Sequence, residues 1–273
     1  MGGVVQISDA EEKRKKIRKR IQDFRLFDDE FMSKCFEDNI ECTELILRII
    51  MDKSDLKVKK ANVQHAIKNL QGRSITLDIE AVDSEQKEYD IEIQRADSGA
   101  KPKRARYHSS LLDANVLLAG DETENLPETY VIFITEHDVL GKDKPIYHIN
   151  RYIEETGEAF GDSSHILYVN GAYRDDTPLG LLMKDFSCMT ASDMHYKKLA
   201  DRVRYFKEDE EGVNTMSGIV EELMEEFIDD EKKESALRML RGGKLSNEEI
   251  AEYSGLDIKV VNALEKEQKA IAY

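Results

Sequence analysis

The sequence predicts a mixed α/β protein, in which helices flank a central sheet, followed by an all-helical C-terminal extension. Two observations carry this prediction. Runs rich in β-branched and aromatic residues recur between turn residues, and a helical pattern lies between the second and third of these runs. From Pro178 onward the strand pattern stops and helical segments follow one another.

The N-terminal part opens with a basic run and a helical region. Residues 11–20 (EEKRKKIRKR) hold seven Lys or Arg against two Glu, a pattern that fits either a solvated arm or a contact with a polyanion. Apolar residues at helical spacing predict a helical region over 28–51, in which Asn39 caps a second helix. A charged, Lys-rich piece at 52–72 follows, with no predicted strand.

Five strands and one long helix are predicted for the middle of the chain. Hydrophobic runs bounded by turn residues place the strands near residues 74–82, 88–95, 130–135, 145–149 and 165–170. The helix covers 101–118, and Gly120 is expected to end it.

The C-terminal part is predicted to be entirely helical. Its segments cover 178–188, 192–206, 213–230 and 231–241, and the segment 245–267 has the form of a helix-turn-helix around Ser254 and Gly255. Residues 208–273 hold eight Lys or Arg against eighteen Asp or Glu. A recognition helix must approach phosphates, so this acidic region favours a protein contact or packing role over DNA reading.

The composition argues against several classes of protein. The formal net charge of −16 over 273 residues disfavours a nonspecific nucleic-acid binder. No apolar run approaches the roughly 20 residues that a membrane-spanning helix needs, and the start of the chain lacks the order of a secretion signal. The three cysteines form no CxxC pair. These features predict a cytoplasmic protein with no membrane partner and no disulfide framework.

Two acids in neighbouring predicted strands are candidate metal ligands. Asp78 lies in one strand and Glu92 in the next, fourteen residues later, with Gln94 on the same face as Glu92. Adjacent carboxylates repel unless protons or cations intervene, and a hard divalent cation keeps both ionised. Glu80 and Asp90 share these faces, so alternation alone does not choose among the four acids.

Two further groups would complete a site for metal-assisted hydrolysis. The backbone carbonyl of Ile93 is a plausible additional ligand, and Glu44 would add a carboxylate from the preceding helix. Gln94 can orient a water molecule but cannot act as a base. The alternative for the acids of the two strands is an ordinary polar position on a solvent-facing strand.

A basic helix start follows the second strand and suggests a phosphate contact. Arg104 and Arg106 carry guanidinium groups that can hold a scissile or flanking phosphate. Tyr107 can hydrogen-bond the phosphate or stack on a base, with simple burial as the alternative. The chain contains no Gly-rich phosphate loop and no G-x-S-x-G motif, which argues against nucleotide and serine hydrolases.

The order of these motifs resembles a known family. GRSITLDIEAVDSEQKEYDIEIQR, KPKRARYHSSLLDANVLLAG, YVIFIT, PIYHINRYIEET and HILYVNGAYRDD are similar to the PD-(D/E)XK nuclease family transposases, grouped with the recombination-promoting nucleases of bacteria. The similarity runs from about Phe27 to the region of Met216. It implies a restriction-endonuclease-like core and DNA cleavage that depends on Mg²⁺, for which Mn²⁺ can substitute, in association with mobile elements and recombination.

The resemblance also implies roles for individual residues. Asp78 matches the acid of the motif, Glu92 matches its (D/E), and Glu44 is the expected helix acid. Gln94 takes the position where many relatives have Lys, which removes a positive charge that helps to activate water. Leu77 stands in place of Pro. A catalytically degenerate module of the nuclease fold, binding DNA or a protein partner, is therefore the alternative function.

The expected domain organisation has three parts. A basic N-terminal arm covers residues 1–22, a PD-(D/E)XK nuclease-like domain covers 23–205, and an acidic helical region with a helix-turn-helix-like end covers 206–273. We expect the C-terminal helices to form a homodimer, because paired subunits would convert two single-strand nicks into a double-strand break.

Overall fold

The computed structural model describes residues 9–69, 72–117 and 120–271. They divide into two compact units. The larger unit covers residues 19–213, and the smaller unit combines residues 9–18 with residues 214–271. The smaller unit thus contains helical parts from both ends of the chain, which the sequence analysis assigned to separate regions. Residues 1–8 of the predicted arm lie outside the described residues.

The larger unit contains a six-stranded mixed sheet. Its strands are β1 (Val58–Ile67), β2 (Ile75–Asp83), β3 (Glu88–Gln94), β4 (Thr129–Thr135), β5 (Ile146–Ile149) and β6 (Ser164–Asn170). Their order is β1-β2-β3-β4-β6-β5. The first three strands are antiparallel, β3, β4 and β6 are parallel, and β5 returns antiparallel to β6. The predicted mixed sheet and its five predicted strands are confirmed.

Strand β1 differs from the prediction, in which the Lys-rich residues 52–72 contain no strand. Within β1 only Val58 and Ile67 are buried, whereas Lys59 and Lys60 are exposed. The strand lies at the edge of the sheet, so it lacks the apolar alternation that marks a half-buried strand. By contrast, all seven residues of β4 are buried, because a central strand of a parallel sheet is covered on both faces.

Helices flank this sheet. They are α2 (Asp29–Phe36), α3 (Ile40–Ile50), α4 (Pro102–Val116), α5 (Pro178–Ser187) and α6 (Lys197–Glu208). As expected, Asn39 separates α2 from α3, and its side chain accepts a hydrogen bond from the N–H of Cys42 at 3.1 Å. Helix α4 contacts β1, β4 and β6, α3 contacts β1, and α2 contacts β1 and β2. The last residue of the predicted helix 101–118 lies outside the described residues.

The smaller unit is helical. Helix α1 (Asp9–Asp23) begins in this unit, and α7 (Glu210–Gly242), α8 (Asn247–Ser254) and α9 (Ile258–Ile271) follow at the C-terminal end. Helix α7 is one continuous helix where the sequence predicted two segments. Lys13 in the basic run of α1 pairs with Glu221 of α7 at 3.3 Å. The basic run is therefore helical, and its Lys13 contacts an acidic side chain of α7.

The predicted helix-turn-helix shape is present in α8 and α9. Ser246 and Glu249 form a capping box at the start of α8, and Gly255 ends that helix with a φ of 68°. Ile250 and Val261 pack with Ala236 of α7 to form the core of the unit. Among the described helices, none is both long and apolar enough to cross a membrane.

Candidate active site

The strands β2 and β3 separate at the position of two acids. The last pair of their ladder joins Ile79 to Ile91. Beyond this pair, side-chain carboxylates accept the hydrogen bonds of main-chain N–H groups in place of main-chain carbonyls. The N–H of Asp78 donates to Oε1 of Glu92 at 3.2 Å, and the N–H of Ile93 donates to Oδ2 of Asp78 at 2.8 Å. These reciprocal hydrogen bonds hold the two carboxyl groups side by side between the strands.

A third acid and a histidine lie directly behind this pair. Asp90 and Glu92 are both fully buried, and His108 of α4 is 2% exposed. Nδ1 of His108 lies 2.9 Å from Oδ2 of Asp90 and 3.7 Å from Oε1 of Glu92. The other oxygen of Asp90, Oδ1, has no hydrogen-bond partner among the described residues. The structure thus concentrates three carboxyl groups in a space that water hardly reaches.

This concentration changes the acidity of each group. Burial raises the pKa of Asp78, Asp90 and Glu92 to about 8 each. Repulsion adds to burial, since Glu92 further raises the pKa of Asp78 and Asp90 further raises that of Glu92. Burial also lowers the pKa of His108, which favours a neutral imidazole near pH 7.

Arg104 brings a positive charge to the cluster. Its Nη2 lies 2.7 Å from Oε2 of Glu92, and its Nη1 donates to Oε1 of Gln94 at 3.1 Å and to the carbonyl of Gly99 at 2.9 Å. A Cβ at position 99 would lie 1.8 Å from Oε1 of Gln94, so the absence of a side chain there makes room for this contact. The cluster contains three carboxyl groups and one guanidinium. If all three carboxyl groups were ionised, the cluster would carry a net charge of −2.

The comparisons with known proteins place the chain in a family. A family model described as PD-(D/E)XK nuclease family transposase matches residues 14–172, more than half of the 273-residue chain. The chain belongs to this family. The predicted restriction-endonuclease-like core, a mixed sheet flanked by helices, is consistent with this membership. Neither the curated proteins nor the solved structures that were compared give a match. Membership indicates a nuclease associated with mobile elements.

Within this member of the PD-(D/E)XK family, Glu44 does not join the other acids. Its carboxylate pairs with Arg48 at 2.6 Å and accepts a hydrogen bond from the N–H of Val58 at 3.1 Å. Val58 pairs with Asp83 at the far end of β2. Asp83 is five positions from Asp78 in β2, or roughly 16 Å along the strand. The expected place of Glu44 in the site is therefore corrected, and its carboxylate instead fixes the start of β1.

An acid of α2 lies closer to the cluster. After burial and the charge of Glu92, the carboxylate of Asp29 further raises the pKa of Asp78. Oδ1 of Asp29 accepts a hydrogen bond from Nε2 of Gln64 at 3.2 Å. Gln64 has a φ of 52°, where the ladder between β1 and β2 skips a pair beside Asp78. The sequence analysis missed Asp29 because acids in the first turn of a helix are common.

The predicted phosphate contacts of α4 separate into different environments. Arg106 is exposed, whereas Arg104 lies against the acids. Tyr107 is partly buried against the cluster of Leu77 and Leu111. Its hydroxyl donates to the carbonyl of Arg73, which connects α4 to the residues just before β2. This is the burial that the sequence analysis kept as the alternative for Tyr107.

Proposed function

We propose that this chain is a metal-dependent endonuclease that hydrolyses phosphodiester bonds of DNA. The observation that carries the proposal is the convergence of three buried carboxyl groups beside a single guanidinium. Ionised Asp78, Asp90 and Glu92 exceed the charge of Arg104 by two, which one divalent cation would balance. Membership of a family of nuclease-related transposases supports the same conclusion. It also suggests that the DNA would be cleaved during the recombination of mobile elements.

Asp78 and Glu92 would hold Mg²⁺ or Mn²⁺ together with the carbonyl oxygen of Ile93. The N–H and C=O of a strand residue face the same neighbouring strand, and the N–H of Ile93 donates to Asp78. Carboxylate and carbonyl oxygens are the ligands that Mg²⁺ prefers. When bound, such a cation lowers the pKa of water and stabilises a leaving oxygen.

The remaining roles follow from the same geometry. Gln94 would orient the attacking water, and the guanidinium of Arg104 beside it supplies the positive charge that Gln94 lacks. Arg106, exposed on α4, would contact a flanking phosphate. Asp29 would take the place of the helix acid that the sequence analysis gave to Glu44.

A catalytically degenerate nuclease fold that binds DNA or a protein is the second candidate. The observation that favours it is the Gln at position 94, together with the ion pair in which Arg104 already occupies an oxygen of Glu92. DNA binding that persists in EDTA, without nicking in any divalent ion, would support this candidate.

Nicking of supercoiled plasmid in Mg²⁺ or Mn²⁺ distinguishes the two functions. We expect Asp78→Asn to lower the nicking rate by at least about 100-fold, because the amide loses the charge that would hold a cation. The asparagine oxygen can still accept from the N–H of Ile93, so the variant should fold. Glu80→Gln is the matched control, since Glu80 lies two residues along β2 and hydrogen-bonds Asn62.

The outcome is read from the three proteins together. Loss of nicking in Asp78→Asn alone supports the endonuclease. Equal nicking by the wild type and by both variants would refute the proposed roles of the acids.

We further propose a homodimer through the C-terminal helices. Phe227 and Ile228 of α7 are 65% and 50% exposed, in a part of the chain rich in acids. Sedimentation velocity should show a dimer for the wild type and a monomer for Phe227→Ser, because removing a large apolar side chain from an interface weakens association. Phe160→Ser, at an equally exposed phenylalanine of the larger unit, is the control and should leave the dimer intact. A monomeric wild type would refute this assembly.

A further inference from the structure

Two residues of the buried cluster are neither cation ligands nor water-orienting groups in the hydrolysis proposed above. Asp90 and His108 are buried, and both lie against side chains that do have roles. His108 also packs edge-on against Phe133, at 6.0 Å between ring centroids, and the guanidinium of Arg104 lies 5.9 Å from the centroid of the same ring. The two side chains of α4 are thus held one turn apart on one aromatic surface.

The contact between Arg104 and His108 determines where the imidazole carries its proton. Nε of Arg104 lies 3.3 Å from Nε2 of His108. A guanidinium is always protonated and can only donate, so Nε2 must be the acceptor. With Nε2 unprotonated, the N–H of the ring is on Nδ1 and donates to Oδ2 of Asp90 at 2.9 Å.

This tautomer decides between two interpretations of the cluster. Asp90, Glu92 and His108 offer ligand atoms within 4.8 Å of one another, a spacing that a metal ion could bridge. A ligating nitrogen must be unprotonated, however, and Nδ1 carries the proton. The opposite tautomer would set the N–H of Nε2 against the N–H of Arg104. His108 is therefore not a metal ligand in this arrangement.

We propose that Asp90 and His108 form a positioning pair for Arg104. Asp90 holds the imidazole in the Nδ1–H tautomer, and Nε2 then fixes Nε of the guanidinium. With that end fixed, Nη2 reaches Glu92 while Nη1 reaches Gln94. This inference rests on the proposed function, since it explains how one guanidinium serves both residues of the strand.

The tautomer can be measured in the metal-free protein without any assay of activity. Long-range ¹⁵N–¹H correlation of the imidazole side chains should show His108 with a protonated Nδ1 and a bare Nε2, and the absence of its signals in His108→Gln assigns them. An Nε2–H tautomer or a doubly protonated ring near pH 7 would overturn the proposal. The result holds whether or not the protein nicks DNA, so a failure of the proposed function is distinguishable.

A second measurement follows the exchange of the Nε–H of Arg104 with water. The Nε–H of Arg104 should exchange slowly with water in the wild type and rapidly in His108→Phe, which keeps the ring volume but lacks the acceptor. His108→Gln can place an amide oxygen near the position of Nε2, and we expect it to restore slow exchange. Slow exchange in His108→Phe would contradict the positioning role.

Kinetics separate positioning from a merely structural effect. We expect His108→Phe to lower kcat for nicking by on the order of 10–100-fold, with KM for plasmid within about threefold, because a small misplacement of a catalytic group costs this much. His108→Gln should recover most of the loss. The proposal would be overturned if His108→Gln lost as much kcat as His108→Phe although the Nε–H of Arg104 still exchanged slowly in His108→Gln.

Discussion

At the residue scale, three buried carboxyl groups make the stability of the metal-free protein depend on pH. In an unfolded chain these groups ionise near pH 4. Burial raises the pKa of Asp78, Asp90 and Glu92 to about 8 in the folded protein. Between pH 4 and 8 these groups therefore bind more protons in the folded state than in the unfolded state, and their contribution to stability falls as the pH rises.

We accordingly expect a lower Tm at pH 8 than at pH 5 when unfolding is followed in EDTA. The loss should amount to a few kcal/mol of unfolding free energy, on the order of that expected for a strongly shifted carboxyl. Asp78→Asn should reduce the difference between the two pH values, whereas Glu80→Gln on the same strand should not. Adding Mn²⁺ at pH 8 should raise the Tm of the wild type. A Tm in EDTA that rises from pH 5 to pH 8 would contradict this account of the cluster.

At the element scale, one carboxylate organises the turn that joins β2 to β3. Asp83 is 3% exposed and accepts hydrogen bonds from the N–H of Glu85 at 2.8 Å, the N–H of Lys87 at 3.0 Å and the hydroxyl of Tyr89 at 2.8 Å. This turn sets the register of the two strands. The register of β2 and β3 in turn brings Asp78 beside the acids of β3. The turn therefore positions the site although Asp83 lies about five residues from Asp78 along β2.

Replacing Asp83 with Ala should lower the free energy of unfolding by about 2–4 kcal/mol, because three donors lose their acceptor. Urea denaturation measures the change. Asp83→Asn, which keeps one acceptor oxygen, should lose less. Glu85→Ala in the same turn is the control, and we expect it to stay within about 1 kcal/mol of the wild type, since its ion pair with Lys87 leaves Glu85 67% exposed. No change in Asp83→Ala would show that the turn forms without this carboxylate.

At the scale of the whole molecule, a buried lysine ties distant segments of the larger unit together. Nζ of Lys207 donates to the carbonyls of Gln22 at 2.9 Å, Phe24 at 2.6 Å and Met189. It also lies 5.2 Å from the centroid of the Phe31 ring. One ammonium thus satisfies three carbonyls from segments separated by more than 160 residues.

Lys207→Met should keep the apolar stem but lose about 2–4 kcal/mol of stability, because three carbonyls are left without a donor. Chemical denaturation of the full chain tests this. Lys197→Met provides the comparison on the same helix: Lys197 is 86% exposed and pairs with Asp201, so its removal should cost less than about 1 kcal/mol. Equal stability of the two variants would show that the ammonium does not tie these segments together.

Much of the larger unit was predictable because its central strands are buried on both faces. A strand such as β4 must be apolar throughout, and that composition is visible in YVIFIT. An edge strand has no such requirement, so β1 with its exposed lysines was invisible to pattern analysis. The break between α2 and α3 was predictable for a local reason, since the cap of Asn39 involves residues three positions apart.

The sequence by itself determined that Asp78, Glu92 and Gln94 stand on candidate strands, since alternation is a local property of a strand. Only the tertiary structure decided which acids meet. Separation of β2 and β3 beyond the pair of Ile79 and Ile91 brought Asp78 and Glu92 together. The contacts of Glu44 with Arg48 and Val58 hold that acid elsewhere. Packing of α4 on β4 then added Arg104 and His108 behind them. The physical reason is distance along the chain: these contacts join residues that no local pattern relates, and only long-range register and packing set their positions.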